Sequence, residues 1–273
     1  MGKYINWART VRRLGINKIK EFLFSKKQQV DNHLVNEILG VVRKEGVYVY
    51  ENFLSKEKCE MFKKEIDAVL EKENPKIWKD SLGSDTRCFG INRLSKFIDV
   101  HFYNEPRIVA LREAFLAQKD ERILGFSMAN KLVVKENNLG SGLGWHRDTV
   151  NESQFKVILY VTDVGEKNGA FQYLKGSHKK QSVLDGILEY NFDYNHNRLK
   201  DIDIDNYLKT GKYNLITPVG KAGTLLVVDT SGIHRGMPIE EGERYALTNY
   251  YALPKKIGGS GLPKHILNLL VEN

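Results

Sequence analysis

What this chain of 273 residues lacks narrows the field first. Cysteine occurs only at Cys59 and Cys88. Two cysteines so far apart make no disulfide framework, and a reducing, cytoplasmic setting is expected. No apolar run approaches the roughly 20 residues that cross a bilayer. The N-terminus lacks the apolar segment and small-residue cleavage site of a secretory signal, so none is expected. Acid is nearly absent from residues 1–30, where Glu21 alone faces eight lysines and arginines. That segment holds +7 of the formal net charge of +8 and leaves the rest of the chain almost neutral. A near-neutral main domain offers no track for a polyanion, which argues against nucleic acid as a partner.

What remains is the composition of an ordinary soluble globular protein, 41% hydrophobic and 28% charged. The length suits one large domain or two small ones. Residues 3–24 read as a basic amphipathic helix, with Tyr4, Trp7, Ala8, Val11 and Leu14 at helical spacing. Such a helix either meets a membrane surface or partner, or docks on the domain with its charges solvated. Residues 1–45 are therefore set apart as a basic amphipathic N-terminal extension.

From residue 46 the pattern becomes that of a domain running to 253. Gly46-Val-Tyr-Val-Tyr50 reads as a strand, and Ser55 as the N-cap of a helix over 56–72. In that helix Cys59, Phe62, Ile66, Val69 and Leu70 share one face, which makes Cys59 a core residue. Residues 74–105 read as irregular; Arg87 and Arg93 there either line a pocket or sit solvated on a surface loop. A second helix is expected over 106–118. Strands follow over 123–135, 155–162, 169–174, 214–219, 223–229 and 244–253. The Asn168-Gly169 pair suits a type I′ hairpin turn. The stretch 181–212 interrupts the strands and is either a lid or a covering subdomain. Gly258-Gly-Ser-Gly261 precedes a short terminal helix over 263–271, in a tail of residues 254–273. The fold class is mainly β with helices packed outside.

The chemistry concentrates in Gly144-Trp-His146-Arg-Asp148. On extended backbone, His146 and Asp148 point the same way, because strand side chains alternate. They offer two thirds of a 2-His-1-carboxylate set, the usual seat of non-haem Fe(II) with open coordination positions. The buried-type strand Gly223-Thr-Leu-Leu-Val-Val-Asp229 delivers His234 just past its end as the third ligand. Ten residues later Arg244 opens an alternating strand. A buried guanidinium needs an anion, and it pairs with a carboxylate in bidentate fashion. A 2-oxo dicarboxylate that chelates iron at one end and meets Arg244 at the other satisfies both demands.

These pieces, in this order, resemble the phytanoyl-CoA dioxygenase family of Fe(II)/2-oxoglutarate-dependent oxygenases. The His-x-Asp after a tryptophan, the Asn-Gly pair followed by Leu174-Lys-Gly-Ser-His178, and the Gly-Thr-Leu…Asp…His…Arg run carry the resemblance, which covers about 46–253. It implies a double-stranded β-helix (jelly-roll) core. It implies Fe(II) on His146, Asp148 and His234, with O2 and 2-oxoglutarate, and the distal carboxylate of 2-oxoglutarate on Arg244. Lys131 matches a position often basic in relatives and is expected to touch the cosubstrate. Relatives often carry a small hydroxyl residue two positions after the distal histidine; here it is Gly236, and Thr248 is the candidate substitute. Related halogenases lack the carboxylate, so Asp148 favours hydroxylation of a small-molecule substrate: a metabolite, a sugar or a lipid-linked compound. An oxygenase acting on a macromolecule, or a catalytically silent binding member of the fold, are the alternatives.

Overall fold

The computed structural model describes residues 33–72, 76–118, 123–150 and 152–252. The helices expected over 3–24 and 263–271, and the glycine joint between 258 and 261, lie outside these residues. Among the described residues no helix is long and apolar enough to cross a membrane.

The first element among the described residues is a helix, α1 (His33–Glu45), which buries Val35, Ile38, Leu39 and Val42. These four repeat at intervals of three and four, so one stripe faces the domain. They join the main core cluster. The N-terminal extension drawn to residue 45 is thereby corrected: its last thirteen residues pack as part of the domain. Strand β1 (Val47–Tyr50) and helix α2 (Lys56–Leu70) follow. Ser55 caps α2 by accepting from Lys58 N at 3.3 Å. Cys59 is fully buried in α2, and desolvation pushes its thiol up to about 12, so it is inert.

The stretch expected to be irregular holds two strands, β2 (Ile77–Lys79) and β3 (Asp85–Phe89), and then helical turns between 91 and 103. Helix α3 (Pro106–Leu116) starts at Glu105, whose carboxylate accepts from the amides of Arg107 and Ile108. Strands β4 (Leu124–Val133), β5 (Phe155–Tyr160) and β6 (Phe171–Lys175) lead to helices α4 (Lys180–Tyr190) and α5 (Asp201–Lys209). The described residues end with β7 (Asn214–Ile216), β8 (Leu225–Asp229), β9 (His234–Gly236) and β10 (Glu243–Ala252).

Two antiparallel sheets form, one ordered β1-β8-β5-β10-β4-β3-β2 and one ordered β7-β6-β9. Residues paired across antiparallel strands share a face. On the outer face of the large sheet, Phe155, Val157, Leu159, Leu225, Val227 and Leu247 pack against the helices. On the inner face, Val47, Tyr160, Leu226 and Val228 meet Phe171 and Tyr173 of the small sheet. Each such side chain contributes roughly 1.5–3 kcal/mol through burial. The two inner faces enclose the jelly-roll interior, as expected.

The connection from β5 to β6 differs from the expected hairpin. The two strands lie in different sheets. Asn168 has no positive φ, which a type I′ turn requires, although Gly169 is at φ +70°. Instead the Asn168 side chain accepts from Gly165 N at 2.9 Å, and the chain crosses over. The interrupting segment 181–212 is a covering subdomain with its own core of Leu199, Ile204 and Tyr207, seated on Trp145.

Candidate metal centre

Strand pairing brings the two halves of the site together. His146 and His234 exchange backbone hydrogen bonds, both 2.9 Å, and Asp148 N donates to Thr230 O at 3.0 Å. The two ligand-bearing segments therefore lie side by side. The loop before His234 is shaped by Asp229, which accepts from Ser231 N and Oγ and from Gln154 N.

Each imidazole is held through Nδ1. His146 Nδ1 donates to Gly144 O and His234 Nδ1 to Gly232 O, both at 2.9 Å. That leaves both Nε2 atoms as lone-pair donors, the tautomer that a metal needs. His146 Nε2 lies 3.9 Å from Asp148 Oδ1, and His234 Nε2 lies 3.9 Å from Asp148 Oδ2. Three ligand atoms, one from each residue, fall within 4.8 Å of one another. Burial lowers the pKa of both histidines, that of His234 to about 3, so both rings are neutral and ready to ligate. Burial alone would raise the pKa of Asp148, but the Lys156 ammonium at 2.6 Å outweighs it and holds the carboxylate ionised. Two neutral imidazoles and one carboxylate fit a divalent iron with open positions.

Close approach fixes the surrounding backbone. Gly142 has φ +91°, and a Cβ there would lie 2.4 Å from His146 Cε1. A Cβ on Gly236 would lie 2.9 Å from Ser141. The hydroxyl residue that relatives often carry after the distal histidine therefore has no room in this chain.

Arg244 faces the interior from β10, on the same side as Thr248 and Tyr250. It is 5% exposed. It donates to Gly169 O and Asn130 Oδ1, and its Nε has no partner. Burial lowers its pKa, and among the described residues no carboxylate contacts its guanidinium, the carboxylate of Asp85 acting on it only at a distance. An anion arriving here would meet a guanidinium already oriented, since Asn130 is itself held through Nδ2 by Asp85 at 2.5 Å. Asp85 is also paired with Arg87 at 2.5 Å. Arg87, whose place was open, lies on the inner face in register with Asn130, with its guanidinium over Trp78.

Lys131 does not reach this space. It pairs with Tyr245, one residue out of phase with Arg244, and so points to the outer face. There it contacts Asp67 at 3.3 Å and Glu243 at 3.8 Å. Its expected contact with the cosubstrate is corrected accordingly.

The sequence reading missed two buried cations at the ligand segments. Lys156 Nζ lies 2.6 Å from Asp148 Oδ2 and 3.9 Å from the Tyr250 ring centroid. Its signal was a lone cation in the apolar run Phe155-Lys-Val-Ile-Leu-Tyr160. Arg147, between the two near ligands, points away from the metal side. It donates to Ser177 O, Ser231 O and Ser182 Oγ. One guanidinium thus ties the His146–Asp148 segment to the loop before His234 and to α4.

Residues 42–240 match the family described as phytanoyl-CoA dioxygenase (PhyH). The chain belongs to this family. Family membership and the His–Asp–His cluster make it an iron- and 2-oxoglutarate-dependent enzyme. Solved structures agree in fold. The epimerase SnoN from nogalamycin biosynthesis, in complex with Fe3+, alpha ketoglutarate and nogalamycin RO, has a TM-score of 0.60 at 15% identity, covering 80% of this chain and 83% of its own. HygX from Streptomyces hygroscopicus, with nickel, 2-oxoglutarate and hygromycin B, gives 0.54 at 14% identity, covering 80% and 87%. EctD from S. alaskensis, with bound Fe, gives 0.58 at 14% identity, covering 78% and 75%. A comparison with curated proteins gives no match.

Proposed function

We propose that this protein hydroxylates a C–H bond of a small molecule, with release of succinate and CO2 from 2-oxoglutarate. The observation that carries the reading is the convergence of His146 Nε2, Asp148 and His234 Nε2 on an interior that also holds Arg244, whose guanidinium contacts no carboxylate among the described residues. In this reading the triad holds Fe(II), and Arg244 takes the distal carboxylate of 2-oxoglutarate in bidentate fashion. Iron with 2-oxoglutarate and O2 supplies an oxidant strong enough for an unactivated C–H bond, and the protein supplies orientation and a dry cavity.

The residues of the chain divide that second task. Asn130 and Gly169 O fix the guanidinium plane of Arg244, so that the cosubstrate arrives in one orientation. Thr248 faces the same interior, between Arg244 and Tyr250 on β10. Phe89, Phe126, Met128 and Tyr250 form an apolar wall on the inner face of β3, β4 and β10. Phe126 stacks on Tyr250 at 5.0 Å between centroids, which leaves water few polar partners along that wall. The subdomain of α4 and α5 covers the side of Trp145 and keeps solvent from the ligand strand.

Small-molecule ligands are present in the SnoN and HygX complexes, which supports a substrate of that class. Asp148 supports hydroxylation over halide transfer, because no coordination position is left open by a missing carboxylate. A cytoplasmic setting is part of the same proposal, with residues 3–24 either docked on the domain or meeting a membrane surface. Purified protein with Fe(II), ascorbate and 2-oxoglutarate should release succinate only when O2 is present. His146→Ala should abolish that release, and undiminished succinate from the variant would overturn the assignment.

A further inference from the structure

Lys156 is an expensive residue for its place. Its side chain is 7% exposed, and its register partners on the inner face are Val228 and Tyr250. A hydrophobic residue of the same volume would pack there without desolvating a charge, and replacing a buried ion pair by apolar side chains is often neutral or stabilising. The fold alone therefore gives no reason for a lysine. The carboxylate it meets at 2.6 Å belongs to Asp148, whose other oxygen lies 3.9 Å from His146 Nε2. The Tyr250 ring, 3.9 Å from Nζ, flanks the ammonium and stacks in turn on Phe126. Lys156 is thus held against one oxygen of Asp148 by its surroundings.

We propose that Lys156 is a counter-ion built into the metal site, holding the Asp148 carboxylate by Oδ2 so that the three ligands stay converged before metal arrives and Oδ1 is left for the metal. The inference rests on the reading of His146, Asp148 and His234 as metal ligands. Lys156 is then a positioning residue that acts through Asp148. Without it, among the described residues, an ionised carboxylate would sit beside two neutral imidazoles with no cation in contact, and a divalent metal would restore that contact. Metal and Lys156 should therefore compensate for one another in stability, which a lysine supporting the fold elsewhere would not do.

Thermal melts of the full-length protein, metal-free and with Mn(II), test this in wild type, Lys156→Met, Lys156→Arg, Asp148→Asn and the Lys156→Met/Asp148→Asn double variant. Removing one partner of a buried pair should lower the metal-free melting temperature on the order of 10 °C in either neutral single variant. The double variant, with both charges gone, should recover most of that loss. Lys156→Arg should melt near wild type. The rise on adding Mn(II) should be larger in Lys156→Met than in wild type, because metal replaces the missing cation. Losses that simply add in the double variant, or a Mn(II) rise in Lys156→Met equal to or smaller than in wild type, would overturn the proposal. If Lys156→Met fails to fold, the double variant and Lys156→Arg still decide the pairing. No rise in wild type, or the same rise in His146→Ala, would refute the metal reading itself and this proposal with it.

Discussion

Arg244→Met separates the two sides of a buried charge. Arg244 is 5% exposed, and among the described residues its guanidinium donates to neutral acceptors, Gly169 O and Asn130 Oδ1, while its Nε has none. Losing it in the absence of cosubstrate strands two buried acceptors, at about 1–3 kcal/mol each. It also removes a buried charge that no carboxylate among the described residues contacts, a relief of similar size. The two effects oppose, and the metal-free, cosubstrate-free melting temperature should move by no more than about 5 °C. Binding of 2-oxoglutarate has no such compensation. A bidentate pair contributes two charge-assisted hydrogen bonds, at about 1.5–3 kcal/mol each. At about 1.4 kcal/mol per factor of ten, their loss should raise the KM for 2-oxoglutarate at least about a hundredfold. Succinate release against 2-oxoglutarate concentration measures the first effect, and a thermal melt the second. An unchanged KM would refute the cosubstrate role of Arg244, and a melting temperature lowered by about 15 °C or more would make it a structural residue.

Other substitutions follow from the same geometry. Lys131→Ala should leave the KM for 2-oxoglutarate within about twofold of wild type, since its side chain meets Asp67 and Glu243 on the outer face. A large rise in that titration would place Lys131 at the cosubstrate after all. Arg147→Met should cost about 2–4 kcal/mol of stability in denaturant titrations, because Ser177 O and Ser231 O lose their shared buried donor. It should also weaken Mn(II) binding measured by calorimetry, since the two ligand segments lose their tie. Gly142→Ala places a methyl 2.4 Å from His146 Cε1 at a backbone φ of +91°. Its Mn(II) affinity should fall at least about tenfold, as the ring is pushed from its place.

Much of this was readable in the sequence because period and chemistry agree. The expected strands from 123 to 253 all form, and Ser55 caps its helix as its side chain predicts. His146 and Asp148 share a face because two-residue spacing on extended backbone is a local rule. Residues whose position depends on non-local register were not legible. Lys131 and Arg244 both lie on strands, but only the pairing of Lys131 with Tyr245 sends one outward and the other inward. The Asn168-Gly169 pair obeyed a hairpin rule that fails once β5 and β6 enter different sheets. For α1, the stripe of Val35, Ile38, Leu39 and Val42 was present in the sequence, but the boundary followed charge rather than hydrophobic period. Lys156 stands as a lone cation in an apolar strand, and only the fold brings Asp148 to it.

Diffraction at the iron absorption edge, from crystals grown anaerobically with Fe(II) and 2-oxoglutarate, tests the central claim most directly. One anomalous peak is expected within bonding distance of His146 Nε2, His234 Nε2 and an Asp148 oxygen, with 2-oxoglutarate density running from that peak to Arg244. An iron peak bound by other residues, or a cosubstrate whose distal carboxylate lies away from Arg244, would contradict it.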